Sequence, residues 1–179
     1  AEVSHTDFSS LKAIKMRESY SMEVQKCIYP RLGYSSHGGG LEKAFIEFLD
    51  RDAEVERFLK INESGHSFAI IFYVRKDGLM ATYHPDFIVA TADKVYLIET
   101  KGDDKVDDVN VRQKQTATVE WIKKINALVP GDRMNRTWEY VLVGESVFYS
   151  LSGSGATITD ICNQCKVSYS VATGNLFEM

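Results

Sequence analysis

Tyr83-His84-Pro85-Asp86-Phe87-Ile88-Val89-Ala90-Thr91-Ala92-Asp93-Lys94-Val95-Tyr96-Leu97-Ile98-Glu99-Thr100-Lys101-Gly102 holds two β-rich runs, residues 80–90 and 95–100, around a short polar break. Ala92-Asp93 is the expected hairpin tip. With a two-residue tip, Asp86 lies opposite Glu99 and His84 opposite Lys101. Side chains alternate along a strand and opposed residues share a face, so these four project to one side. Phe87, Val89, Tyr96 and Ile98 project to the other. A tip longer by one residue would reverse the arrangement. Two opposed carboxylates on a hairpin are destabilising unless a cation offsets them.

Working outward, residues 67–74 are β-rich and Lys76-Asp77-Gly78 makes a turn, so three consecutive strands predict an antiparallel meander. Upstream, Leu41, Ala44, Phe45, Phe48, Leu49, Val55, Phe58 and Leu59 follow the spacing of a helix with one buried face. The run Ser35-Ser36-His37-Gly38-Gly39-Gly40 before it reads as a loop, because successive glycines are costly inside regular elements. It lacks the Lys-Ser or Lys-Thr of a phosphate loop.

Downstream, Val111, Lys114, Thr118, Trp121, Ile122 and Ile125 share a face of a second helix over about 107–128. Residues 138–143 then read as a strand and 158–166 as a short helix. No internal repeat interrupts this order. The fold class is α/β (α+β), with a mixed central sheet of about four strands flanked by helices. Residues 1–35 are expected to form an extension that packs on the core or links to an upstream domain. Residues 36–179 form the main domain of a single globular unit.

With 179 residues, 44% of them hydrophobic, the chain can bury one ordinary core. No apolar stretch approaches the ~20 residues that span a bilayer, and the opening residues are too polar for a signal peptide. The chain opens on Ala1 rather than Met and is expected to be part of a larger protein. Three cysteines, Cys27, Cys162 and Cys165, make an odd count without secretory features, which points to free thiols and a cytoplasmic location. The Cys162/Cys165 pair is only half of a zinc site. A net charge of -4 argues against a domain that grips nucleic acid unaided. Arg112, Lys114, Lys123, Lys124, Arg133 and Arg136 nevertheless concentrate positive charge in and after the second helix. Asp103, Asp104, Asp107 and Asp108 are expected to start that helix, where negative charge suits its dipole.

Helix, three-strand meander, helix, strand, with Pro85-Asp86 on the second strand and Glu99-Thr100-Lys101 on the third, resembles the PD-(D/E)xK nuclease superfamily. Within it, Tyr83-His84-Pro85-Asp86-Phe87 followed by Leu97-Ile98-Glu99-Thr100-Lys101-Gly102 looks like the C-terminal endonuclease domain of type III restriction enzymes. The resemblance covers about residues 40–145. It implies a restriction-endonuclease-like core of order αβββαβ and a metal-dependent endonuclease acting on double-stranded DNA. The implied catalytic residues are Asp86, Glu99 and Lys101.

Phosphodiester hydrolysis needs an activated water, relief of charge on the attacked phosphate and support for the leaving oxygen, and a hard cation supplies most of this. Asp86 and Glu99 are carboxylates of the kind Mg²⁺ prefers. The resemblance adds the Thr100 carbonyl and Glu42 as further ligands, with Mn²⁺ as a substitute for Mg²⁺. Lys101 would orient or deprotonate the attacking water. Its protonation state is open, since a cation favours the neutral amine and carboxylates the charged one. Lys114 is the implied substrate contact. His84 and Gln115 are further candidates, although Val119 stands where some members carry a tyrosine four residues after the glutamine. The resemblance also implies a helicase domain in the full-length chain, through which alone ATP would act, and a modification and recognition subunit. The alternative is a catalytically inactive nuclease-fold module for DNA binding or subunit coupling. An acid–base hydrolase using Asp86 and Glu99 without metal would leave Lys101 no task.

Overall fold

Val95, Tyr96, Leu97 and Ile98 are four successive residues with no exposed surface, the signature of a strand covered on both faces. They lie at the centre of a computed structural model that describes residues 4–36, 40–105 and 109–167. In chain order the elements begin with β1 (Ser21–Glu23), β2 (Arg31–Gly33), α1 (Gly40–Arg51), β3 (Arg57–Lys60), β4 (Ile71–Val74) and β5 (Met80–Tyr83). They continue with β6 (Phe87–Ala90), β7 (Lys94–Lys101), α2 (Val109–Asn126), β8 (Thr137–Gly144), α3 (Glu145–Gly153) and α4 (Ile158–Cys165). The fold is mixed α/β: a four-stranded sheet of order β3-β6-β7-β8, with two small hairpins, β1–β2 and β4–β5.

Strands β3, β6 and β7 pair antiparallel, whereas β8 lies parallel to β7. Helix α2 makes the crossover that a parallel pair requires. Helices cover both faces. On one, Phe45, Ile46 and Leu49 of α1 pack with Phe87, Val89, Tyr96 and Ile98, joined by Phe148 of α3 and Ile158, Ile161 and Cys162 of α4. On the other, Val119 and Ile122 of α2 cover Ile88, Val95, Leu97 and Tyr140. Val24, Tyr29 and Leu32 join the first cluster, so the described part of residues 1–35 packs on the core. Among the described residues no helix is long and apolar enough to cross a membrane.

Several expectations are corrected. The helix expected over 41–59 stops at Arg51, and Phe58 and Leu59 lie in β3 instead. Asp52 ends it: its Oδ1 accepts the Glu54 N–H at 2.8 Å and its Oδ2 the Ile158 N–H at 3.0 Å. The run 67–74 is not part of the central sheet, because β4 pairs only with β5 in a separate hairpin. The single strand expected over 80–90 is broken between Tyr83 and Phe87. Helix α3 has no counterpart in the sequence reading. Asp103 caps it rather than α2, accepting the Ser146 N–H at 3.1 Å and the Ser146 hydroxyl. Asp107 and Asp108 lie outside the described residues, as do His37, Gly38 and Gly39.

Phe45 joins helix to sheet, with its ring 5.2 Å from that of Phe87 and 5.1 Å from that of Phe148. Phe45→Ala therefore opens a cavity between α1, the sheet and α3. It should lower stability by about 3–5 kcal/mol in urea denaturation, and a loss below 1 kcal/mol would contradict this packing.

Candidate active site

The tip of the β6–β7 hairpin sets everything at its open end. Thr91 N–H donates to the Lys94 carbonyl at 2.9 Å, and Ala90↔Val95, Val89↔Tyr96, Ile88↔Leu97 and Phe87↔Ile98 follow in register. This is the register that a two-residue Ala92-Asp93 tip predicts, but it ends at Phe87↔Ile98, so the expected pairs Asp86 opposite Glu99 and His84 opposite Lys101 lie beyond the paired stretch. Hydrogen-bonded and non-bonded pairs alternate along an antiparallel ladder. Continued two residues further, the pattern would set Pro85 and Thr100 as a bonded pair. Pro85 has no N–H to give, and the ladder stops at Phe87.

Asp86 takes over where the ladder ends. Its Oδ2 accepts both the Thr100 N–H and the Thr100 hydroxyl, each at 2.7 Å. Its own backbone carbonyl accepts the Ile61 N–H at 2.8 Å. The side chain is thus tied to β7 and the main chain to the end of β3. By the same alternation the Thr100 carbonyl points toward the place where Pro85 offers no donor.

Glu99 is 4% exposed. Its Oε1 meets Lys101 Nζ at 2.6 Å, while Oε2 is buried with no hydrogen-bond partner among the described residues. Burial, and then the nearby Asp86 charge, push the Glu99 carboxyl up to about 7 against the pull of Lys101 and Lys114. Burial also raises Asp86, opposed by the two Thr100 hydrogen bonds and Lys101 and reinforced by Glu42. Burial works against the Lys101 ammonium, yet Glu99 and Asp86 outweigh it and hold the amine above the usual lysine range.

Beneath Glu99 lies a phenol cluster that sequence reading missed. Tyr83 hydroxyl bonds Thr118 Oγ1, and burial raises both Tyr83 and Tyr140, with the Glu99 charge adding to each. Lys114 sits over this cluster, its Nζ 4.9 Å from the Tyr83 ring centroid and 5.6 Å from that of Tyr73.

Glu42 is in electrostatic reach of Asp86, but both its oxygens are engaged: Oε1 with Lys60 Nζ at 3.0 Å, Oε2 with the Ser35 N–H at 2.7 Å. Lys60 is a second residue the sequence reading missed. Its signal is weak, because Phe58-Leu59-Lys60-Ile61 does not alternate strictly and Phe58 and Leu59 also fit the helical spacing. His84 is half-buried; its Nε2 has no hydrogen-bond partner among the described residues, and its charge is felt by His66. Gln115 is half-buried on α2. The structure thus brings Asp86, Glu99, Thr100 and Lys101 together, sets Glu42 and Lys114 at the margin, and gives His84 and Gln115 no bond to the group.

Among the described residues no cluster of three or more His, Cys, Asp or Glu side chains is arranged to hold a metal. Mg²⁺ keeps several waters and is commonly held by one or two carboxylates, so Asp86, Glu99 and the Thr100 carbonyl suit it without such a cluster. A half-buried and a buried carboxylate against one bonded lysine make the donor set fit a cation. Comparison with protein-family models, curated proteins and solved structures finds no match.

The raised Glu99 value has a consequence for stability. The ordinary glutamate value is 4.5 and the folded one about 7, so between them the native state holds a proton that the unfolded chain has lost. The Glu99 contribution to stability therefore falls as pH rises through this window and is flat above it. Glu99→Gln cannot ionise, so in metal-free buffer its Tm relative to the parent should rise from pH 5 to pH 8. A difference that is constant or falling over that range would refute the shift.

Proposed function

We propose that this chain is a metal-dependent nuclease domain of the PD-(D/E)xK superfamily that hydrolyses DNA phosphodiester bonds, of the kind found in type III restriction enzymes. The observation that carries the reading is the half-buried Asp86 carboxylate set beside the buried Glu99 at the end of β7 that β6 leaves unpaired, with Lys101 bonded to Glu99 at 2.6 Å. The main-sheet order α1, β3, β6, β7, α2, β8 supports it, since it reads αβββαβ once the β4–β5 hairpin is taken as an insertion. We take this as a restriction-endonuclease-like core.

Asp86, Glu99 and the Thr100 carbonyl would hold Mg²⁺ or Mn²⁺. Glu42 would join them only by releasing Lys60 or Ser35. Bound there, the cation supplies relief of charge on the attacked phosphate. Lys101 is charged in the metal-free protein, so its Nζ donates and holds a water or a phosphate oxygen by hydrogen bonding. For it to accept a proton, its contact with Glu99 must first weaken. Lys114 places a second ammonium for the phosphate backbone on the same side.

Charge supports a division of labour. Arg112 and Lys114 start α2 near the site, whereas Lys123 and Lys124 end it. Arg136, paired with Glu56 at 2.6 Å, precedes β8 at the hairpin-tip end of the sheet. An eight-residue strand separates the two ends by about 25 Å. The cations do not form one edge. In this reading, a helicase domain in the same full-length chain and a recognition subunit would supply most of the affinity for double-stranded DNA.

The test is calorimetry with Mg²⁺ and Mn²⁺ on the parent, Asp86→Ala and Lys101→Ala, with nicking of supercoiled plasmid by each. Asp86→Ala should lose metal binding and nicking together. Lys101→Ala should keep its metal affinity and lose nicking by ~10²–10⁴-fold, as for removal of an acid–base group. Parent affinity should rise with pH through about 7, since the cation must displace the Glu99 proton. Absence of metal binding by the parent would defeat the nuclease reading in favour of a coupling module.

A further inference from the structure

Beyond Glu42 the chain forms a cleft of about 490 Å³ that the site described above does not use. Its volume falls within the ~300–1,000 Å³ of small-ligand sites. The extension lines it with Lys15, Arg17, Tyr20 and Tyr34, and Glu42 of α1 and Lys60 of β3 complete the lining. Lys15 and Arg17 are exposed and make no ion pair among the described residues. Lys60 is the exception, held by Glu42 at 3.0 Å and donating to the Gly33 carbonyl at 3.0 Å.

The aromatic lining is arranged for stacking. Tyr20 and Tyr34 meet edge to face with centroids 6.3 Å apart, and Tyr20 is 39% exposed. Lys43 Nζ lies 5.7 Å from the Tyr34 ring centroid, so Tyr20 is the ring with exposed surface to offer. An exposed tyrosine beside cations without an ion pair is the chemistry of single-stranded nucleic-acid recognition, where bases stack on aromatics and the backbone follows positive charge. A duplex keeps its bases stacked on one another and could use only the cations. Glu42 and Lys60 join the cleft to Asp86, so a strand lying in it would continue toward the carboxylates.

Resting on the nuclease reading, we propose that this cleft is a subsite for an unpaired nucleotide of the DNA strand next to the one cut, with its base on Tyr20 and its phosphate on Arg17 and Lys15. The substrate is then a strand opened locally at the cleavage point, rather than intact duplex alone.

The probes are a fluorescein-labelled single-stranded oligonucleotide and the duplex of the same sequence. Binding is read by anisotropy in metal-free buffer, on the intact chain and on Tyr20→Ala, Tyr20→Phe and Arg17→Glu. Base–aromatic stacking is worth ~1–3 kcal/mol, so Tyr20→Ala should weaken single-strand binding by ~5- to 160-fold. Tyr20→Phe should stay within twofold of the parent, and duplex binding should change less than twofold in either variant. Arg17→Glu should weaken the single strand and flatten its salt dependence. Equal losses on both probes in Tyr20→Ala, no loss in Tyr20→Ala, a loss in Tyr20→Phe, or no single-strand binding by the parent would overturn the proposal. Circular dichroism confirms that each variant is folded before it is scored. If the subsite fails while Asp86→Ala still abolishes metal-dependent nicking, the nuclease reading stands. If the parent binds no metal, that reading falls, whatever the oligonucleotides do.

Discussion

Strand β7 has neighbours on both sides as far as Ile98 and on one side only from Glu99 to Lys101. That loss of a neighbour is the constraint on which the site depends. A backbone left unpaired inside a sheet must find other partners, and here it finds a carboxylate. Pro85 has no N–H for the Thr100 carbonyl, and with the ladder stopped at Phe87 the Thr100 N–H goes to the Asp86 carboxylate instead of to a backbone carbonyl. The proline that ends the ladder therefore positions the acid that follows it. β8 continues beside β7 to Gly144, so the last three residues of β7 stay in extended register while their other edge opens.

Two buried glutamates in adjacent strands show what distinguishes this end of the sheet. Glu139 is 7% exposed and Glu99 4%, and each has one oxygen without a partner among the described residues. Burial alone and an orphaned oxygen alone therefore mark nothing. Glu139 meets Lys94 at 3.1 Å and Lys166 at 2.7 Å, and these two ammonium groups hold its carboxyl below the usual range despite burial. Glu99 has one bonded lysine and a second carboxylate beside it, and its carboxyl goes up instead. A buried charge with its compensation complete is accounted for by the fold, and one with its compensation incomplete marks a candidate functional site.

The sequence made the hairpin legible because its information is local. Alternation, a short polar tip and two flanking β-rich runs specify one register, and that register held from Ala90 to Phe87. The parts that failed depend on distant partners. Val55, Phe58 and Leu59 continue the helical spacing of α1, but Asp52 spends its carboxylate on the N-termini of a turn and of α4, more than 100 residues away. The run 67–74 has the same alternation as a central strand, and alternation does not say which strand lies beside it. Helix α3 begins against Asp103, 43 residues earlier, and its own Ser-rich sequence carries no periodic stripe to announce it.

The site divides along the same line. Asp86, Glu99, Thr100 and Lys101 sit on one hairpin, so local register was enough to gather them. Glu42 was identifiable as an acid on the first helix, but its state was not, because Lys60 arrives from β3 through the pairing Lys60↔Phe87. That pairing sets a lysine beside the residue that follows Asp86, and it gives Glu42 a partner of its own. The marginal acid is thereby offset while Asp86 and Glu99 share one bonded lysine. Glu42 therefore lines the neighbouring cleft as much as it borders the carboxylates. The extension reaches this cleft because Val24, Tyr29 and Leu32 pack in the same core cluster as Phe87 and Ile98, the residues next to Asp86 and Glu99.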